Sequence, residues 1–299
     1  MNRILVSGVS GLIGSALLPS FEREGAEVVG LVRGPTRKAG EISWNPMAAP
    51  GALEPSAISG FDAVIHLAGE SIAGRWTEAK KRAIRESRVR GTRNLATVLA
   101  RAESKPKVLV CASAIGFYGD RGEEVLTEAS TSGQGFLPEV CREWEESSGI
   151  AAEAGIRTVN LRTGLVLSGK SGALQKMLTP FKLGVGGRIG SGKQWWSWIH
   201  IDDMVGGIQH ALRTESLSGA VNMVGPNPVR NAEFTKVLAS VLARPAFFPV
   251  PGFALALAFG GMAAQELFLS SQRVKPGKLE AGGYGFRFED LRAALESLV

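Results

Sequence analysis

The feature that most narrows the fold lies at the start of the chain. The stretch "RILVSGVSGLIGSALL", Arg3 to Leu18, is a short apolar run, a glycine turn and then a helical pattern. Gly8, Gly11 and Gly14 fall in a G-x-x-G-x-x-G spacing. A strand that feeds such a turn and a helix N-terminus forms an anion site. The missing Cβ atoms let the backbone approach a pyrophosphate, and the helix dipole and its free N–H groups face it. A three-glycine turn alone can be purely structural; its place between strand and helix gives it weight. The expected cradle is Gly8, Ser10, Gly11, Leu12, Ile13 and Gly14.

The next strand, "AEVVGLVRG", carries Arg33 at its end. An adenosine ribose with a free 2′-hydroxyl is usually met there by an acid, and a 2′-phosphate by an arginine. No acid occurs from Val28 to Gly40, whereas Arg33, Arg37 and Lys38 do. The charge logic favours NADP(H) over NAD(H); a basic surface loop is the plainer alternative. "FDAVIHLAG" is a third buried strand, and Leu67, Ala68 and Gly69 at its end would sit against the adenosine. A long helix is expected from Thr77, a suitable N-cap. On it Ile84, Arg88, Gly91 and Leu95 share one face. An arginine on an apolar face needs an anionic partner, so Arg88 is a better cofactor or carboxylate ligand than Arg85 or Arg90. "VLVCAS", Val108 to Ser113, is another buried strand.

Composition closes off several classes. The chain has 299 residues, 44% hydrophobic and 21% charged, enough for one large α/β domain with a smaller lobe. Two cysteines, Cys111 and Cys141, make no disulfide framework, and a reduced, cytoplasmic setting suits them. The net charge of +6 is concentrated in "KKRAIRESRVRGTR", read as a solvated helix face. No aromatic interleaves it, so no nucleic-acid partner is expected. The longest apolar stretch, Val250 to Ala264, is interrupted by Pro251 and too short for a membrane span; it reads as a buried helix. No membrane partner is expected.

Together these motifs resemble the extended short-chain dehydrogenases, the nucleotide-sugar epimerase group. "RVRGTRNL" is similar to that group's N-V-x-G-T-x-N-L helix, with Arg88 in the Asn place. "SAIGFYGD", "LRTGLVL", "WSWIHIDDM" and "VNMVG" match further landmarks, and the resemblance runs from Met1 to about residue 240. "IGSGKQWWSWIHIDDMV" and "EVCREWE" resemble more narrowly the atypical branch labelled the epimerase family, which carries an extra C-terminal region. The resemblance implies NADP binding and leaves the substrate undefined. It also implies a working Ser, Tyr and Lys, and here the pattern fails. The Ser place becomes Ala114, with Ser113 one residue earlier; the Tyr place becomes Phe136 and the Lys place Val140. The chain holds only Tyr118 and Tyr284, and no Tyr-x-x-x-Lys. Candidate catalytic groups are therefore Tyr118, Ser113, Glu143 and His200, none with a decisive signal. Tyr118 reads more simply as the turn aromatic and His200 as a packed residue near the pocket. Glu143 and Glu145 read as exposed helix acids, and Asp202 and Asp203 as N-capping residues.

Where the sugar-nucleotide epimerases place a diphosphate-binding arginine, Trp195, Trp196, Ser197 and Trp198 stand. An indole cannot neutralise phosphate, so a nucleotide sugar is less expected than a smaller or flatter substrate, with Arg188 or Lys193 as possible compensation. "GRIGSGKQ" lacks the Ser or Thr of a P-loop and reads as a flexible loop over the substrate pocket. His66, His200 and His210 share no metal-ligand spacing, and no metal is expected.

The expected architecture is α/β: a Rossmann-type doubly wound parallel sheet with a smaller, interleaved C-terminal substrate lobe. Residues 1–165 form the NADP-binding domain, which also receives segments around 195–225. Residues 166–243 carry the substrate lobe and returning segments, and 244–299 the extra C-terminal region. Two functions stay open: an oxidoreductase or epimerase with a replaced proton donor, or an NADPH-binding sensor or assembly partner without turnover. The remaining partners are a small-molecule substrate of unnamed class and a second copy of the chain as a homodimer.

Overall fold

The computed structural model describes residues 1–36, 40–48 and 52–299. Arg37 and Lys38, part of the basic stretch after the second strand, lie outside the described residues. The first half alternates strands and helices: β1 (Arg3–Ser7), α1 (Leu12–Arg23), β2 (Glu27–Val32), β3 (Glu41–Ser43), β4 (Ala63–His66), α2 (Glu78–Arg101) and β5 (Val108–Ala114). Next come β6 (Val125–Leu126), α3 (Phe136–Glu153), β7 (Arg157–Thr163), β8 (Leu165–Leu167), α4 (Gly172–Lys182), β9 (Trp195–Trp196), β10 (Trp198–His200), α5 (Ile201–Arg213) and β11 (Gly219–Met223). The rest contains β12 (Val229–Arg230), α6 (Asn231–Val241), α7 (Gly252–Phe259), α8 (Gly261–Ala264), a π-helical turn over Gln265–Leu269, β13 (Arg273–Val274), α9 (Gly277–Ala281) and α10 (Leu291–Glu296).

Seven strands form one parallel sheet in the order β3-β2-β1-β4-β5-β7-β11. Both faces are covered, which is why β1, β4 and β5 read as unbroken apolar runs. Side chains alternate between faces. Ile4 and Val6 of β1 join Leu17 and Phe21 of α1 and Met204 and Ile208 of α5 on one side. Leu5 joins Leu95 and Leu99 of α2 on the other. The chain runs outward from β1 to β3 and then returns to β4 on the opposite side of β1. That reversal is the point where an open α/β sheet leaves a crevice at its strand ends.

A third core lies off the sheet. It takes Leu174, Leu178 and Phe181 from α4, Trp198 from β10, Phe234 and Leu238 from α6, and Leu291, Ala294 and Leu295 from α10. The smaller lobe is thus assembled from segments far apart in sequence. The expected buried helix in Val250–Ala264 is a correction: only Leu255 of α7 is buried, while Phe253 is 77% and Leu257 76% exposed. Pro251 starts this helix and Gly260 ends it, leaving eight residues that touch the protein along one side only. Among the described residues no helix is long and apolar enough to cross a membrane.

Candidate functional site

Two cavities open at the sheet's carboxyl ends. The first, about 740 Å³, is the glycine groove at the reversal point. Gly8, Val9, Ser10 and Gly11 line it from one side and Leu67, Ala68 and Gly69 from the other, with Arg33 at its rim. Gly8 has φ +76, and a Cβ there would lie 2.8 Å from the Leu67 carbonyl carbon. The turn therefore needs glycine both for its left-handed backbone and for its approach to the next strand end. The Gly11 N–H donates to the Gly8 carbonyl at 3.0 Å, closing the turn that launches α1. Leu12, Ile13 and Gly14 stand behind the groove, not on it. Leu12 and Ile13 pack on the sheet core. A Cβ on Gly14 would meet the Gly8 oxygen at 2.3 Å, so this glycine lets the helix lie close on its own loop.

Two other residues shape this groove. His66 lines it, buried, with Nδ1 2.6 Å from the Ser7 hydroxyl; burial pulls its pKa down to about 4, so the ring is neutral. Glu41 also lines it, one residue beyond the acid-free stretch that favoured a 2′-phosphate.

The second cavity, about 300 Å³, lies deeper along the cleft. β5 contributes Ser113 and Ala114, and α3 contributes Leu137, Val140, Cys141 and Trp144. Thr163 at the end of β7, Gly164, and Leu165 at the start of β8 line it, with Trp195, Trp196 and Ser197 from the β9 region. The fourth side is Glu266, Leu267, Phe268, Ser270 and Gln272 from the C-terminal region. Arg88 lines this cavity rather than the glycine groove, with Gly69 between: a Cβ on Gly69 would lie 3.5 Å from the guanidinium carbon.

The register of α3 differs by one residue from the expected one. Phe136 turns away to meet Trp76, ring centroids 5.2 Å apart. The cleft-facing pair four residues apart is Leu137 and Cys141, joined by Val140. No Tyr or Lys stands at either register. Burial pushes the Cys141 thiol up to about 12, so it stays protonated.

Of the four candidate catalytic groups, only Ser113 lies in the cleft. Its hydroxyl donates to Glu145 Oε1 at 2.7 Å. Glu145 holds Arg162 through two bonds, Nε–Oε1 and Nη2–Oε2, each 2.8 Å. Burial opposes the charge on Arg162, but Glu145 and, to a lesser extent, Tyr118 together more than offset this and the pKa rises. Glu145 is therefore not the exposed acid expected; its side chain is 14% exposed. Tyr118 is fully buried beneath this pair, away from the cleft. Its hydroxyl donates to Asn222 Oδ1 at 2.7 Å and accepts from Arg162, and burial raises its pKa. Glu143 pairs with Arg85 at 3.2 Å on the surface. His200 caps α5, accepting from the Asp202 N–H at 3.0 Å, and packs on Phe288 outside the cleft; burial lowers its pKa. The cap is thus His200, not an aspartate. Asp203 instead accepts from the Arg287 and Phe288 backbones and from Tyr284.

The loop Gly187–Gln194 does not cover the cavity. Gln194 is buried and donates to Ile189 and Phe268 carbonyls, and the Ile189 N–H is fixed by Asn231. Arg188 is turned to Ser191, so neither it nor Lys193 lines the cleft. Glu266 was invisible in the sequence. Its carboxylate accepts from the Phe136 and Leu137 N–H groups at 2.9 and 2.7 Å, capping α3 from 130 residues away. Gly135, φ +121, leaves room: a Cβ there would lie 2.9 Å from Glu266 Oε1.

Residues 4–225 match the NAD dependent epimerase/dehydratase family. The chain belongs to that family. Residues 250–298 match DUF1731, a domain of unknown function, which contributes the cleft's fourth side. The human epimerase family protein SDR39U1 is 36% identical over 301 residues, 99% of each chain. Epimerase family protein YfhF of Bacillus subtilis is 38% identical over 298 residues, 99% of this chain and 97% of that one. A crystal structure of human SDR39U1 (isoform2) with NADPH superimposes with a TM-score of 0.91 at 35% identity, covering 99% of this chain and 98% of that one. The nucleoside-diphosphate sugar epimerase from Corynebacterium glutamicum gives 0.81 at 38% identity, over 98% of this chain and 57% of that one.

Proposed function

We propose that this epimerase-family protein binds NADP(H) along the glycine groove and performs hydride chemistry on a small substrate in the second cavity, without a tyrosine–lysine pair. The observation that carries this reading is the adjacency of the two cavities: Gly69 walls the groove and lies against Arg88, which walls the second cavity, so that an elongated ligand laid along the strand ends would reach both. The groove fits the cofactor: Gly8 lets the turn lie against the Leu67–Ala68 backbone, where a Cβ would clash, and α1 presents its N-terminus there. Gly8, Ser10 and Gly11 hold the pyrophosphate, Leu67 to Gly69 back the adenosine, and Arg33 takes the 2′-phosphate. The human relative crystallised with NADPH supports NADP(H) as the ligand.

When bound, the nicotinamide supplies or accepts the hydride. Ser113 touches the substrate; with its proton committed to Glu145, it offers an acceptor to a substrate donor. A nucleoside-diphosphate sugar suits the cavity poorly: about 300 Å³ is at the low end for ligand pockets. A non-catalytic NADPH sensor is the second reading. It is favoured by α3, whose cleft-facing Leu137, Val140 and Cys141 have no proton to give near neutral pH. Two buried thiols suit a reducing, cytoplasmic setting.

Calorimetric titration with NADPH and NADH tests the cofactor. A charge-assisted contact from Arg33 should favour NADPH by about tenfold to a hundredfold, and Arg33→Ala should remove the preference. Equal affinities would sink it. NADPH absorbance followed across a panel of small carbonyl compounds then separates the two readings, since turnover ends the sensor one.

A further inference from the structure

The second cavity contains a cation with no direct ion pair: the Glu70 carboxylate acts on Arg88 only through space. Arg88 makes two hydrogen bonds, both from Nη1, to the Glu70 and Ile84 carbonyls at 2.9 and 3.2 Å. Its Nε and Nη2 donors have no acceptor among the described residues. Neither is among the buried side-chain atoms that lack a partner, so both reach accessible space, and Arg88 lines the second cavity. The neighbouring carboxylates are engaged: Glu70 by Lys80 at 2.6 Å, Glu145 by Arg162 and Ser113, Glu266 by two backbone N–H groups. The Cys141 thiol is protonated and offers no charge.

The guanidinium lies over Trp144, 5.0 Å from the ring centroid, a contact that orients it. Its free edge, two parallel N–H groups, matches the two oxygens of a carboxylate. A half-buried cation without a partner lowers stability, and a bound anion removes that cost. The surrounding wall is apolar: Leu137, Val140, Leu165, Trp196, Leu267 and Phe268.

The geometry points to a small planar carboxylic acid as the ligand of this cavity, its carboxylate on the Nε–Nη2 edge of Arg88 and its unsaturated body against the apolar wall. Leu267 and Phe268 give the C-terminal region a task, the shaping of that wall. The inference rests on reading this cavity as the substrate side of an NADP(H) site.

The test is calorimetric titration of trans-cinnamate and its shape-matched neutral partner trans-cinnamamide, into the protein alone and into NADPH-saturated protein. NADPH is titrated separately. Cinnamate should bind about tenfold to a hundredfold tighter than the amide. Arg88→Gln should erase that difference. Arg88→Lys, which keeps the charge but loses the fork, should reduce it; if Arg88→Gln does not fold by circular dichroism, this variant decides. Equal affinities, no saturable heat from cinnamate at millimolar concentration, or a preference intact in the deciding variant would overturn the assignment. Phenyl phosphate binding more tightly than cinnamate would also overturn it. So would a loss of NADPH affinity in the variants as large as the loss for cinnamate, since Arg88 would then belong to the cofactor. A cinnamate preference in a protein that fails to bind NADPH would leave this inference standing and remove the cofactor reading alone.

Discussion

Replacing Glu145 by alanine should be among the most damaging single changes near the cleft. Arg162 is 5% exposed, and both its bonds to Glu145 are 2.8 Å. Without the carboxylate the guanidinium stays buried and keeps only neutral partners: the Tyr118 hydroxyl at 3.1 Å and the Phe117 ring, 3.4 Å from the guanidinium carbon to the centroid. Breaking a buried pair from one side typically costs about 3–5 kcal/mol. The remaining contacts put the expectation near the lower end, about 3 kcal/mol. Removing both partners with residues of similar volume, Glu145→Leu with Arg162→Met, strands no charge and should cost clearly less than the sum of the single changes, with a coupling of about 1–3 kcal/mol. Urea unfolding monitored by tryptophan fluorescence gives each free energy from the midpoint, provided the slope is unchanged. A Glu145→Ala cost below about 1 kcal/mol, or strict additivity in the double variant, would refute the claim that this pair is an internal charge unit.

Glu266→Ala removes two charge-assisted bonds at the start of α3 and should cost about 1–3 kcal/mol in the same urea assay; an unchanged midpoint would mean that the cap contributes nothing. Gly8→Ala places a Cβ 2.8 Å from the Leu67 backbone at φ +76, so NADPH titration should show at least about a tenfold loss of affinity. Tyr118→Phe should leave any NADPH turnover within a few-fold of the natural protein, because the hydroxyl points away from the cleft; abolished turnover would make it a working group after all. The buried thiols Cys111 and Cys141 are raised from 9.0 to about 12. Between those values the unfolded chain binds fewer protons, so stability should fall as pH rises through that window. The slope should approach about 1.4 kcal/mol per pH unit per thiol, and a flat stability profile there would contradict their burial.

The local parts of this fold were legible. The glycine turn, the alternation of strand and helix, and the Thr77 cap, which accepts from the Lys80 N–H at 3.2 Å, each depend on residues a few positions apart. That Arg88 turns inward was legible for the same reason, as the odd charge in an apolar helical stripe, whereas its place in the second cavity instead of the glycine groove was not. What escaped was carried by distance. Glu266 meets α3 across 130 residues, and Asp203 meets Arg287 across 84. Glu145 had a readable signal: Cys141, Glu145 and Ser148 fall at i, i+4 and i+7, the spacing of one helical face. The register of α3 was misplaced by one residue because the loop before it has no fixed length in the pattern used to align it.

The capping of α3 by Glu266, and the hold of the C-terminal region on Asp203 of α5, bear on how the chain is made. On a ribosome the glycine turn, α1, β2 and β4, which carry most of the cofactor groove, are made early, although β1 and α1 still wait for Met204 and Ile208 of α5 on one face. The second cavity comes later. Its α3 edge waits for Glu266, its fourth side for Phe268 and Gln272, and α5 for the backbone of Arg287 and Phe288. A nascent chain therefore passes through a long interval in which most groove residues are made but the second cavity has no fourth side. Synthesis of residues 266–288 is the step that joins the two.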